Sequence, residues 1–124
     1  MKQLFLKMIV LLTVILLSEY SFAQDAVKVD PKHYKVEFEN DQVRVLRITY
    51  APGEKGVMHS HPDGVVIFLS DAAGKLTHPD GKTDTLDVKK GFVTWAPATT
   101  HQGENVGDES FEVIQIEMKD KAEE

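Results

Sequence analysis

The chain has 124 residues, a formal net charge of −6 and no cysteine. Disulfides and a lipid-modified cysteine anchor are therefore excluded. The acidic balance, with no basic patch to reverse it, argues against nucleic acid or an anionic lipid surface as a partner. The length suits one domain.

Lys2 and Lys7 open the chain, an apolar run over residues 8–17 is broken only by Thr13, and Ser21-Phe22-Ala23 follows. A positive start, a short apolar core and small residues at the two positions read by a signal peptidase make residues 1–23 a cleavable signal peptide, cut before Gln24. The run is shorter than the about 20 apolar residues that span a bilayer, so no stable membrane insertion is expected after cleavage. Because this segment carries Lys2, Lys7 and Glu19, the mature chain is one unit more negative than the whole. The expected location is periplasmic or secreted. A domain exported without disulfides must be held by its core, alone or with a metal.

Residues 24–33 read as a loose polar lead-in, residues 34–119 as the folded domain and residues 120–124 as a solvated acidic tail. Tyr34, Val36 and Phe38 alternate with charged residues over 33–39, the pattern of a half-buried strand. A second strand is expected over 43–50, where the alternation slips at Val45-Leu46 and predicts a bulge or burial on both faces. Residues 57–61 form a short strand, and the continuous apolar run 65–69 a buried one. Strands over 75–78 and 83–88 flank the turn Pro79-Asp80-Gly81. Another covers 91–95. The last covers 111–118, where Ile114, Ile116 and Met118 share one face with Glu112. No helical period is sustained, and many short strands between Pro, Gly, Asn and Asp predict an all-β sandwich or barrel.

The chemistry centres on His59 and His61. On a strand, residues two apart point to one face, so the two imidazoles can share a metal ion. His101 is the expected third ligand. His33 and His78 read as surface residues, Phe68 and Trp95 as core, and Asn105 as a turn residue. Ser60 falls on the face opposite the histidines, so no nucleophilic triad is expected. No catalytic residue is assigned.

These residues resemble the two motifs of the cupin superfamily of small β-barrels. Gly53, His59 and His61 match the first motif, and Gly74 lies close to its final glycine. Gly91 and Pro97 match the second, and His101 and Asn105 keep their mutual spacing. The likeness runs over about residues 43–118. Two departures stand out. The glutamate of the first motif is missing, with Val65 or Val66 in its place, and Thr99 stands where a glycine is usual, one residue being lost before His101. Asp63, Gln102 and Glu104 are the local candidates to replace the lost carboxylate, although Asp63 in the turn after His61 is expected to bond its own backbone. The resemblance implies a single-domain double-stranded β-helix (jelly-roll) holding a divalent metal, Fe, Mn, Ni, Cu or Zn, on His59, His61 and His101. It also implies a small-molecule ligand or substrate, and a homodimer formed through the sheets. The expected activity is dioxygenase-like oxidation, with hydrolysis or isomerisation behind it; the alternative is a metal-free barrel that binds a small ligand.

Overall fold

The computed structural model describes residues 24–120. The expected signal peptide and residues 121–124 of the acidic tail lie outside the described residues. Among the described residues one short helix, α1 (Ala26–Val29), precedes nine strands: β1 (Tyr34–Glu39), β2 (Val43–Tyr50), β3 (His59–His61), β4 (Gly64–Phe68), β5 (Ala72–Thr77), β6 (Thr83–Val88), β7 (Val93–Ala96), β8 (Thr99–Asn105) and β9 (Phe111–Met118). They form a five-stranded sheet ordered β1-β2-β9-β4-β7 and a four-stranded sheet ordered β3-β8-β5-β6. Every strand pair is antiparallel. This is the expected all-β class, with β8 an addition to the strands read from sequence.

The large sheet is built on β2 and β9, which pair along their whole length from Val43↔Met118 to Tyr50↔Phe111. With a period of two, one face of this pair carries Tyr50, Ile48 and Leu46 against Phe111, Val113 and Gln115, and it ends in Arg44 against Glu117. That face is the interior: Leu46 is fully buried, and Ile48, Tyr50, Phe111 and Val113 complete the core with Tyr34, Phe68, Ala72 and Ala26. Truncating Leu46 to alanine would cost about 2–5 kcal/mol. The interior is therefore apolar at one end and charged at the other, and the charged end lies beneath β3.

Several expectations are corrected. On β9 the buried residues are Phe111, Val113, Gln115 and Glu117, whereas Ile114, Ile116 and Met118 face outward. Outside, Phe38, Val45, Ile116, Val65 and Trp95 stand in register as one row across all five strands. Trp95 is thus an outer-face residue, 54% exposed, while Phe68 is core as expected. The bulge falls on β1, where Glu37 is skipped between the pairs Val36↔Leu46 and Phe38↔Val45. The slip read at Val45-Leu46 is the partner side of that irregularity.

The lead-in is not loose. Asp25 caps α1 by accepting from the Val27 N–H at 3.0 Å, Ala26 is fully buried, and the Gln24 carbonyl accepts from the Ser60 N–H at 2.7 Å. The turn Pro79-Asp80-Gly81 is as expected. Gly81 takes φ +85, a left-handed conformation that side chains disfavour, and Asp80 Oδ1 accepts from the Lys82 N–H.

Candidate metal centre

Strands β3 and β8 pair with His59 opposite His101 and His61 opposite Thr99. The alternation of β3 turns His59 and His61 inward, and the pairing brings His101 beside them. Ring centroids lie 4.6 Å apart for His59–His61, 5.0 Å for His59–His101 and 5.4 Å for His61–His101. One nitrogen from each ring falls within 4.8 Å of the others, the spread of a ligand set that can close on one ion. All three sequence-predicted ligands are brought together.

The tautomers of two rings follow from their partners. His59 Nδ1 lies 2.6 Å from the Val57 carbonyl, which only accepts, so Nδ1 carries the proton. His61 Nδ1 lies 2.8 Å from Glu117 Oε2 and donates to that carboxylate. In both rings the lone pair is left on Nε2. Both Nε2 atoms are buried without a hydrogen-bond partner among the described residues. An unmet buried acceptor costs about 1–3 kcal/mol, and a metal ion is the partner that two convergent neutral imidazoles suit.

Electrostatics disfavour protonation of His59 and His101. Burial, then the charge of His61, pushes His59 down to about 4. Burial, then His59 and His61, pushes His101 down to about 3. A neutral imidazole is the form that ligates.

Each ligand on β3 is braced from behind. Burial pushes the Glu117 carboxyl up, but hydrogen bonds from His61 and Arg44 outweigh it and hold the group below its ordinary value. Arg44 Nε donates to Glu117 Oε1 at 2.7 Å, and its other nitrogens donate to the Asp25 carboxylate at 2.8 and 3.0 Å. The chain of contacts therefore runs Asp25, Arg44, Glu117, His61. A second chain supports His59. His33 is stacked on Tyr50, with ring centroids 4.0 Å apart, and lies between Asp30 Oδ1 at 2.8 Å and Glu54 Oε2 at 2.6 Å. Asp30 Oδ2 accepts from the Val57 N–H at 3.2 Å, and the Val57 carbonyl holds His59. His33 is thus buried, 5% exposed, and not the surface residue expected. Tyr34 closes the site, its ring edge-on to His59 at 4.5 Å.

The substitutes for the lost glutamate are engaged elsewhere. Asp63 Oδ1 accepts from the Ala98 N–H at 2.7 Å, Gln102 Nε2 donates to the Gly56 carbonyl, and Glu104 pairs with Lys75 at 3.2 Å. His78 pairs with Asp84 and is not part of the three-histidine group, and Ser60 bonds Gln24 and Thr100 on the far face. Asn105 organises the β8–β9 turn, donating to the Tyr50 and Glu109 carbonyls and accepting from the Gly107 N–H. Sequence reasoning missed Glu117, Tyr34 and the Val57 carbonyl. An acidic residue alternating with Phe111 and Val113 on one strand was the signal for Glu117.

His101 opens onto a cavity of about 210 Å³ inside the barrel, walled by residues such as Phe68, Leu86, Phe111 and Val66. Val65 faces outward, paired with Trp95 and Ile116. Val66 is therefore the valine that stands where the family's glutamate would enter the interior.

No protein-family model matches the sequence, and no curated protein matches it. Solved structures do. A cupin domain from Bordetella pertussis Tohama I is 27% identical, with a TM-score of 0.65 over 70% of this chain and 92% of that one. This chain has the cupin fold. The fold recurs at lower identity in a cupin superfamily protein from Desulfitobacterium hafniense DCB-2 (19%, TM-score 0.52, 70% of this chain and 76% of that one). It recurs too in a cupin with a double-stranded β-helix from Methanocaldococcus jannaschii (16%, TM-score 0.55, 68% and 77%). Within that fold the chain brings three histidines together and has Val66 where the motif it resembles carries a glutamate.

Proposed function

We propose that this cupin is an exported protein that holds a divalent metal on His59, His61 and His101 and acts as a dioxygenase-like oxidoreductase on a small organic molecule. The observation that carries the reading is the pair of buried Nε2 atoms, unpartnered among the described residues and converging with His101. Fe, Mn, Ni, Cu and Zn all accept imidazole ligands. With three neutral ligands and no carboxylate, the bound ion keeps its full charge, which favours polarisation of a bound group and leaves coordination positions open. The residues around it have defined tasks. Glu117 and the Val57 carbonyl orient two ligands, Tyr34 shields them from water, and the apolar cavity beside His101 receives the organic molecule. Export is supported by the pattern of residues 1–23, and a homodimer by the apolar outer row of the large sheet.

The second reading is a barrel that binds a small ligand without metal, favoured by Val66 in place of a carboxylate. Elemental analysis of protein purified without chelator or histidine tag separates the two. About one equivalent of metal in the wild type, absent from His59→Ala, supports the metal centre. An empty site that also refuses added metal sinks it. Val66→Glu should then tighten metal binding, because it returns a carboxylate to the interior beside His101.

A further inference from the structure

The cavity has a polar feature that the metal centre does not use. Gln115 lies on β9 between Leu46 and Val66 in the register, is 6% exposed and lines the cavity. Its side-chain amide has no hydrogen-bond partner among the described residues. A primary amide brings two donors and an acceptor oxygen, which a molecule in the cavity can engage. Two neighbouring hydroxyls are already engaged: that of Tyr50 donates to the Tyr34 hydroxyl at 3.2 Å, and that of Thr94 to the Trp95 carbonyl at 3.2 Å; Glu104 Oε2 is buried without a hydrogen bond and faces Lys75 Nζ at 3.2 Å. Thr99 adds a half-buried hydroxyl.

The charge of the wall narrows the ligand. No lysine or arginine lines the cavity among the described residues, and the one acid, Glu104, is paired with Lys75. An anion would lose its hydration there with no cationic side chain to replace it, and an amide does not neutralise a full charge. Size narrows it further. An apolar cavity of about 150 Å³ takes benzene, and this one measures about 210 Å³.

We propose that the cavity binds a neutral, largely apolar molecule about one aromatic ring in size, with a single hydroxyl or carbonyl group recognised by Gln115. Gln115 is then a specificity residue: it selects the polar group, while Phe68, Phe111 and Leu86 supply the apolar contact. This rests on reading the cavity as the ligand chamber beside the metal centre, but recognition by Gln115 does not itself require the ion.

Toluene, p-cresol and benzoate form the probe set, since they share a ring and differ in the group presented. Binding is measured by calorimetry on the purified protein, metal-free and zinc-loaded. In the metal-free wild type, p-cresol should bind about tenfold tighter than toluene, the scale of one hydrogen bond to a buried polar group, and benzoate weakest of the three. Gln115→Leu should bring the p-cresol and toluene affinities to within about twofold. Gln115→Met, close in shape and without the amide, is the second variant if the first fails to fold. A p-cresol preference that survives either folded variant overturns the proposal. So does benzoate binding as tightly as p-cresol without metal, or no binding of either neutral probe. Zinc affinity that falls in Gln115→Leu with the preference unchanged would assign the amide to the metal and likewise overturn it. Failure of the metal reading shows separately, as no zinc uptake, and leaves the metal-free comparison decisive.

Discussion

Glu117 shows how a residue that touches no ligand atom of the metal can still govern the site. It holds His61 Nδ1 at 2.8 Å while Arg44 holds its other oxygen at 2.7 Å. Glu117→Gln keeps the shape but removes the charge that both neighbours need. Metal affinity should fall about 10–100-fold, the usual effect of losing a partner that orients a ligand, measured by competition against a chromogenic chelator. An unchanged affinity would mean that β3 alone sets the ring. The metal-free protein should also lose stability as the medium is acidified. His59 and His101 titrate natively at about 4 and about 3, against an ordinary 6.5. As pH falls below 6.5 the unfolded chain takes up protons that the native one refuses, so stability is full above that value and declines toward pH 4. Glu117, also lowered, adds loss in the same direction as pH falls through its native value. A urea midpoint that stays flat between about pH 7 and 4.5 would contradict this linkage.

Among the elements, the segment ahead of β1 carries more than its four-residue helix suggests. Asp25 and Asp30 anchor the two chains of contacts that end at His61 and His59. Asp30→Ala strips the partner from a buried His33 and leaves the Val57 N–H unmet. It should cost about 1–3 kcal/mol, the cost of leaving buried polar groups unmet, read by chemical denaturation; a loss below about 0.5 kcal/mol, typical of surface substitutions, would show the network to be slack. Such bracing is invisible to periodicity, because the partners of Asp25, Asp30 and His33 lie far along the chain. Periodicity read β1 as a strand, the turn at Pro79-Asp80-Gly81 and the pairing of His59 with His61, but not the bulge at Glu37, which turns Phe38 to the outer face, away from Tyr34 and Val36. The cupin spacings added His101. On β9 the pattern pointed the wrong way, because the polar residues Gln115 and Glu117 face inward to the site and the aliphatic Ile114 and Ile116 face outward. Trp95 was misplaced for the same reason, being apolar yet on the outside.

For the whole molecule, that inversion leaves an outer face with Phe38 and Trp95 at opposite ends of one apolar row, each 54% exposed. A two-fold axis near Ile116, at the middle of the row, would set Phe38 of one copy against Trp95 of the next, the self-complementarity that an isologous dimer requires. The ion-paired Arg47, Glu37 and Glu112 border this face and carry little net charge. Trp95→Asp should convert the proposed dimer to monomer in light scattering on a sizing column, without disturbing metal content, because the side chain lies on the opposite face of the sheet from His101. A wild type that runs as a monomer at high concentration would remove the homodimer.

Gln24 reaches Ser60 twice, through its carbonyl to the backbone N–H and through its side-chain oxygen at 3.0 Å to the hydroxyl. Ser60 is the residue between the two histidines of β3. Cleavage before Gln24, as proposed, would place the newborn amino terminus directly against the metal-binding strand. Maturation and metallation would then share an address: the cut that frees the protein from its export signal would also release the clamp on its metal ligands from any upstream tether. A preparation that carries a purification handle in that position would be assaying the precursor's site rather than the finished one.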